Sequence, residues 1–367
     1  MNRLSEWKCK LQMLVIPVQP RVERLSATGL TALYGLDSTF KSARIKDIST
    51  SGIYLLTEGH PPINEQITLI LHEERDPKIS SELKVSIRAR VARQGKDGIG
   101  LAFALPPGMD TNLWGALIRN IVTLTEADQI ADMFRTLRVI LFLCRLCQSG
   151  AQESILLLGG KLADQRLHTL FKIALDAEKM LASEPDCERR RADPRLVANI
   201  LSEGSWTADE SVTQLWTGLL VSSCLVDESD DSNQVFVNLL IHIAPDVARI
   251  FHFACEQVLR SAGEAEVSPS SSVVVTPEEL AGLTSVSELA RNASSVAHLF
   301  NLGLIRKLPD FCSYKPLERF DLAPTRLGLE LYRRCHGKRG KVDEQLVLTA
   351  DEHLRDIIPQ PVACISQ

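Results

Sequence analysis

The sequence has no apolar run of the roughly 18 to 20 residues that a membrane-spanning helix needs. Its most apolar stretch, 139–143, is short and is flanked by Arg138 and Arg145. The first residues, Met-Asn-Arg-Leu-Ser-Glu-Trp-Lys, lack the apolar core of a secretory signal. These absences predict no membrane segment and a cytoplasmic location.

Motifs of common enzyme classes are also missing. The sequence contains no P-loop, no G-x-S-x-G and no H-E-x-x-H, and its eight histidines are dispersed. Nine cysteines are mostly scattered, and Cys144-x-x-Cys147 lies in a helical apolar pattern with no second pair nearby. We therefore predict buried thiols, no metal, no other cofactor and no enzymatic activity.

Composition places the chain among soluble globular proteins. Its 367 residues are 45% hydrophobic and 24% charged, and they suffice for two or three domains. The charge is uneven, with 15 Lys and Arg against 11 Asp and Glu up to residue 107, and 26 against 35 beyond it. A basic first part joined to an acidic remainder favours an anionic ligand on the first part.

Strand signals fill the region from residue 25 to residue 103. Apolar and polar side chains alternate with a period of two, and turn signals such as Gln94-Gly-Lys-Asp-Gly98 separate the segments. The predicted strands lie near 28–35, 40–47, 52–57, 66–72, 83–94 and 98–104. Six short antiparallel strands around an apolar interior predict a small β-barrel.

One short segment between two of these strands carries chemistry suited to a guanine nucleotide. The carboxylate of Asp47 can accept from the Watson–Crick edge of guanine, and Ser49 can cap the turn or donate to phosphate. Gly52 allows close backbone approach to a ligand. Upstream, Arg21 and Arg24 offer planar guanidinium groups for phosphate oxygens or guanine.

The motif Asp47-x-Ser49-x-x-Gly52, with the later strand Gly98-Ile-Gly-Leu-Ala-Phe103, resembles a PilZ domain. PilZ domains are bacterial receptor modules for the second messenger cyclic di-GMP. The resemblance covers residues 16–107 and implies a six-stranded barrel. It also implies that cyclic di-GMP meets Arg21 and Arg24 while Asp47, Ser49 and Gly52 hold a guanine.

The arginine segment departs from the family pattern. PilZ domains usually carry R-x-x-x-R, whereas this chain has Arg21-Val-Glu-Arg24. If Arg24 takes the second position, Pro20 takes the first, and proline offers neither charge nor donor. We expect Pro20→Arg to tighten binding and Arg24 to matter more than Arg21.

Beyond residue 110 the apolar period changes to about 3.6, which predicts an α-helical domain over 110–262. A W-x-x-L-L pattern places Trp216, Leu219 and Leu220 on the buried side of a helix over 209–225. This pattern and the segments 236–251, 301–305 and 322–335 resemble the abortive-infection alpha family over roughly 150–337.

A small-residue linker over 263–272 precedes a predicted winged-helix-like segment, 273–341. Its predicted order is a helix near 277–283, a helix near 287–301, a hairpin around 309–315 and a helix from Pro324. The second helix offers Arg291, Asn292 and Asn301 against Glu288, which is few groups for a DNA groove. Nucleic-acid binding is therefore predicted to be unlikely.

These observations predict an α+β multidomain protein whose PilZ-like barrel binds cyclic di-GMP and is coupled to an α-helical output region. A protein partner is expected but not identified. One alternative is a degenerate PilZ adaptor without the ligand, joined to a phage-defence, abortive-infection-like effector. A second alternative is a DNA-binding regulator.

Overall fold

The structure is a computed structural model that describes twelve parts of the chain. The described residues are 24–27, 30–36, 39–73, 84–123, 127–151, 155, 158, 164–184, 186–225, 232–262, 271–306 and 319–338. They form two compact units, one ending at Trp206 and the other starting at Thr207. This division falls inside the predicted helical domain, and the domain boundaries 16–107, 110–262 and 273–341 stay predictions.

Six strands build a barrel at the start of the first unit. Their bounds are β1 Leu30–Leu36, β2 Thr39–Ile48, β3 Gly52–Leu56, β4 Gln66–Glu73, β5 Val85–Gln94 and β6 Gly98–Phe103. Each pairs antiparallel with its neighbours, and the barrel closes in the order β1-β2-β3-β6-β5-β4. The predicted barrel is confirmed, with strand ends displaced by at most two residues.

Side-chain alternation fills the barrel with apolar groups. Along β5 the inward residues are buried and the intervening residues are exposed, as the period of two requires. The buried set on this strand is Val85, Ile87, Ala89 and Val91. On this strand the interior side is apolar, and the polar side chains lie on the outer face.

Two β-bulges break the alternation on neighbouring parts of the outer face. In β2 the register shifts between Ile45 and Asp47, and in β5 it shifts between Val91 and Arg93. Without the shifts, a strict period of two would turn Asp47 and Arg93 into the apolar interior. Bulges redirect side chains in this way, and here they bring two charged groups to the surface.

Four described helices follow the barrel in the first unit. Their bounds are α1 Thr111–Thr123, α2 Ala127–Cys147, α3 Asp164–Ala182 and α4 Pro194–Gly204. Asp193 caps α4 by accepting from the Leu196 amide at 2.8 Å, and Pro194 occupies the first helical turn. These local signals start α4 at Pro194.

Both cysteines of the C-x-x-C motif are buried in α2. Burial raises the pKa of the Cys144 thiol to about 12, so the thiolate that metals and disulfide exchange require is disfavoured. Across the described residues, no three His, Cys, Asp or Glu side chains are placed to hold a metal ion. The burial of both thiols and the raised pKa of Cys144 favour helix packing as the reason for the C-x-x-C spacing.

The second unit is mainly helical. Its elements are α5 Glu210–Ser223, α6 Asn233–Leu240, α7 Pro245–Ala262, β7 Val273–Val275, α8 Pro277–Thr284, α9 Leu289–Asn301, β8 Phe320–Leu322 and α10 Arg326–Cys335. No helix in the described parts of either unit is long and apolar enough to cross a membrane.

Helix α5 is the core of this unit. Trp216, Leu219 and Leu220 are buried as predicted, and nearly every other residue from Val212 onward is buried as well. A Cβ on Gly218 would lie 1.7 Å from the Cys335 carbonyl oxygen of α10, so α5 and α10 meet backbone to backbone. This contact needs glycine.

An ion pair is enclosed where α5, α6 and α10 meet. Arg334, fully buried, donates to Glu330 at 2.8 Å and to the Asn233 side-chain oxygen at 3.1 Å. The Asn233 amide nitrogen donates in turn to Ser222 and Ser223, at 3.1 and 2.8 Å. The two charges are paired with each other, as burial requires, although Nη2 of Arg334 has no hydrogen-bond partner among the described residues.

Near the C-terminus, the order strand, helix, helix, strand, helix is observed over 273–335. Strands β7 and β8 pair antiparallel, and Ile305 bridges to Pro324. The helices predicted near 277–283, near 287–301 and from Pro324 are present. The hairpin predicted around 309–315 lies outside the described residues, so the winged-helix assignment stays a prediction.

Candidate functional site

The predicted nucleotide motif forms the tight connection between β2 and β3. The Ser49 amide donates to the Gly52 carbonyl at 2.8 Å, and the Ser49 hydroxyl donates to the same oxygen at 3.0 Å. Ser49 is only 7% exposed. Of the two roles predicted for this serine, the geometry supports capping of the turn.

Besides the predicted approach to a ligand, which stays a prediction, Gly52 has a packing reason for being glycine. A Cβ at this position would lie 2.1 Å from the Leu101 carbonyl oxygen on β6. The close approach is therefore to a neighbouring strand. Gly52 secures the pairing of β3 with β6, and this pairing holds the turn in place.

Arg24 and Asp47 meet at the edge of the turn. Leu25 and Ile48 exchange two backbone hydrogen bonds of 2.8 and 3.0 Å, which lays Arg24 beside the end of β2. An Arg24 guanidinium nitrogen then lies 3.5 Å from an Asp47 carboxylate oxygen, with side chains 55% and 25% exposed. Arg21 and Pro20 lie outside the described residues, so their roles stay predictions.

A row of paired residues crosses four strands on this face. Asp47 on β2 pairs with Tyr54 on β3, Tyr54 with Gly100 on β6, and Gly100 with Arg93 on β5. Sequence reasoning identified only Asp47 of this row. The break in alternation at Val91-Ala92-Arg93 was the available signal for Arg93, since strict alternation would bury that arginine.

Tyr54 is the support at the middle of the row. Its hydroxyl donates to Asp97 at 2.8 Å, and Lys46 donates to the same carboxylate at 2.6 Å. These hydrogen bonds, from Lys46 first and Tyr54 second, lower the pKa of Asp97, and the bond to Asp97 raises the pKa of Tyr54. The guanidinium carbon of Arg93 lies 5.2 Å from the ring centroid of Tyr54, a cation–π distance.

These groups surround a surface cavity of about 210 Å³. The cavity is lined by Arg24, Asp47, Ser49, Ser51, Gly52, Ile53, Tyr54, Ala92, Arg93, Gly100, Leu101 and Ala102. Four of the five predicted site residues, all except the undescribed Arg21, thus meet at one place. The lining offers cations, a carboxylate and an aromatic ring, which suits an anionic ligand with hydrogen-bonding bases.

The turn is also tied to the helix that follows the barrel. The Trp114 indole of α1 donates to the Thr50 carbonyl at 2.8 Å, and Thr50 stands in the middle of the Asp47–Gly52 segment. Trp114 is 1% exposed and packs edge-on against Phe103, with ring centroids 5.2 Å apart. A movement of the turn would therefore alter this hydrogen bond and act directly on α1.

Two family models match the chain. The PilZ domain model matches residues 19–123, from the arginine segment to the end of α1, and the abortive infection alpha model matches residues 165–335. Both predicted resemblances are confirmed, and the first part of the chain is similar to a family of cyclic di-GMP receptors. No match was found among curated proteins.

Proposed function

We propose that the chain is a cyclic di-GMP receptor whose barrel controls an α-helical output region. The observation that carries the proposal is the convergence of Arg24, Asp47 and the Ser49–Gly52 turn on one outer-face cavity. The PilZ match over 19–123 supports cyclic di-GMP as the ligand. We propose a cytoplasmic signalling role with no catalytic step.

In this proposal Asp47 reads the base. Guanine presents two neighbouring donors, N1–H and the amino group, to which one carboxylate can bind with charge-assisted hydrogen bonds. The Arg24–Asp47 pair lies at the surface, with Asp47 partly exposed, and surface pairs contribute about 0 to 1 kcal/mol, so a ligand can replace it at little cost. Arg24 then binds a phosphate or a base of cyclic di-GMP, together with Arg21.

Coupling to the helices would run through the Thr50 carbonyl. A ligand that moves the turn by a fraction of an ångström lengthens or bends the bond from Trp114, and α1 must adjust because its indole has no exposed alternative. Ligand binding would thus shift the equilibrium between two packings of α1 against the barrel. The protein that receives the signal is an unidentified partner.

The first alternative, an adaptor without ligand joined to an abortive-infection-like effector, draws support from the match over 165–335. The DNA-binding alternative has less support. On α9, Asn292 is buried and bonds to Thr284 and Val286, and Arg291 lies 2.9 Å from Asp246. Two of the three polar groups that this helix could offer to DNA therefore already have partners within the protein.

Calorimetric titration of the full chain with cyclic di-GMP tests the proposal. We expect saturable heat for the wild type, weaker binding for Asp47→Ala and unchanged binding for Glu58→Ala, an exposed acid outside the cavity. A silent titration at high micromolar ligand would reject the receptor and favour the adaptor. A low-salt gel shift showing tight DNA binding would favour the third class instead.

A further inference from the structure

Arg93 is the least expected member of the cavity lining. The bulge in β5 leaves Ala92 without a partner on β6 and sets Arg93 opposite Gly100. Both Ala92 and Arg93 are exposed, whereas Val91 is fully buried. The strand therefore departs from regular pairing at the position that places a guanidinium over the cavity.

The stem of Arg93 rests in the space that Gly100 leaves open. A Cβ on Gly100 would lie 2.7 Å from the Arg93 Cγ and 2.8 Å from its Nε. The guanidinium group at the end of that stem sits over the Tyr54 ring. An arginine held at both stem and head loses less side-chain entropy on binding than a free surface arginine.

The charges around the cavity also distinguish Arg93 from the other cations. Arg24 is matched by Asp47, and Lys46, next to the lining, is matched by Asp97. Among the described residues, Arg93 has a ring contact with Tyr54 but no carboxylate within ion-pair distance. The positive charge in excess at this cavity thus belongs to Arg93.

We propose that Arg93 is a further phosphate-binding arginine of this site, in addition to Arg21 and Arg24, placed by Gly100 and Tyr54 to bind a phosphate of the cyclic dinucleotide whose guanine Asp47 holds. The inference rests on the proposed function and deepens it. A planar guanidinium binds phosphate through two parallel hydrogen bonds, which a flexible surface lysine does not reproduce.

The test is calorimetric titration of the full chain with cyclic di-GMP, comparing Arg93→Ala with Arg90→Ala. Arg90 is the matched control because it is an exposed arginine on the same strand, bonded to Asn64 and outside the cavity lining. We expect about 10- to 100-fold weaker binding for Arg93→Ala, the loss of one charge-assisted pair. Arg90→Ala should stay within about twofold, as for an ordinary surface substitution.

Gly100→Ala is a second variant that keeps the arginine and removes its resting place. The added methyl meets mainly the Arg93 side chain, so we expect the melting temperature to change little and the affinity to fall. Arg93→Lys should recover only part of the loss. Inorganic phosphate and GTP, titrated separately, establish whether the arginine serves the cyclic dinucleotide or any phosphate.

The outcomes separate the two claims. Binding of cyclic di-GMP that Arg93→Ala and Arg90→Ala alter equally would overturn the role of Arg93 and leave the receptor intact. Equal binding of inorganic phosphate and cyclic di-GMP would overturn the assignment of Arg93 to the dinucleotide. Silence of the wild type with cyclic di-GMP would overturn both the receptor and this inference.

Discussion

The two units each contain an arginine–carboxylate pair, and the pairs differ in almost every physical respect. Arg334 and Glu330 lie 2.8 Å apart with side chains 0% and 7% exposed, and Asn233 binds the arginine as well. Arg24 and Asp47 lie 3.5 Å apart with side chains 55% and 25% exposed. The first pair is enclosed by three helices, and the second borders a cavity.

This difference separates a structural pair from a pair that can be exchanged. A buried pair has already lost its water, so removing one partner leaves an uncompensated charge in the core. An exposed pair keeps most of its hydration and contributes little, so a ligand can displace it. The same two chemical groups thus stabilise the helical unit in one place and remain available for binding in the other.

Arg334→Leu should produce the largest effect, a loss of about 3 to 5 kcal/mol in the free energy of unfolding, because Glu330 would stay buried and unpaired. Denaturant unfolding measures the change. Arg333→Leu, which alters the exposed neighbour in the same helical turn, should cost less than about 0.5 kcal/mol. A double variant that also carries Glu330→Leu should recover part of the loss, and equal losses in Arg333→Leu and Arg334→Leu would contradict the structural role.

Gly52→Ala should cost about 1 to 3 kcal/mol of stability, because the new methyl is forced against the Leu101 carbonyl. Gly282→Ala in α8 is the control, since nothing lies within 4 Å of its added Cβ, and helix propensity predicts a gain of up to about 1 kcal/mol. Thermal unfolding of both variants measures the two changes in stability. Two variants of equal stability would show that β3 and β6 are not packed as described.

Asp47→Ala should change stability by less than about 0.5 kcal/mol, since its ion pair is exposed. Its cyclic di-GMP affinity should fall by about 1 to 3 kcal/mol, the cost of losing a partner for the guanine donors. Unfolding and titration are measured on the same preparation. A stability loss as large as that of Arg334→Leu would erase the contrast between the two pairs.

The smallest expected effect concerns pH in the helical unit. Burial lowers the pKa of His336 in the folded protein below its usual 6.5. At a pH between the folded and the unfolded pKa, the unfolded chain binds a proton on this histidine that the folded protein does not bind. The free energy of unfolding therefore falls as the pH falls through this range. His336→Phe keeps a ring against Tyr332, whose centroid lies 4.0 Å away, and should lose less stability between pH 7 and pH 5 than the wild type. Parallel stability profiles for the two proteins would contradict this origin.

Much of the barrel could be predicted because its strands obey a period of two and its turns carry glycine. The bulges could not be predicted, since their cause is the pairing of β2 with β3 and of β5 with β6, which brings together residues distant in sequence. Tyr54 was missed because only the pairing places it beside Asp47, and the break in alternation at Arg93 does not by itself show which cavity the arginine lines. Asp47, Ser49 and Gly52 were found because their spacing is local.

Prediction from the sequence meets the same limit in the second unit. The apolar face of α5 was visible in the W-x-x-L-L pattern, whereas the need for Gly218 arises only from the Cys335 carbonyl, more than a hundred positions along the chain. Asn292 was considered for DNA contact from its place on α9. Its side chain bonds instead to Thr284, a partner that only the folded packing shows.

Whether Asp47 recognises guanine is tested most directly by the ratio of two affinities of the full chain, for cyclic di-GMP and for cyclic di-AMP. Calorimetry measures this ratio for the wild type and for Asp47→Ala. Adenine lacks the N1–H donor, so a carboxylate that reads guanine must discriminate between the two. We expect a clear preference for cyclic di-GMP in the wild type and the loss of most of that preference in Asp47→Ala. Equal affinities in the wild type, or a preference that Asp47→Ala leaves unchanged, would contradict it.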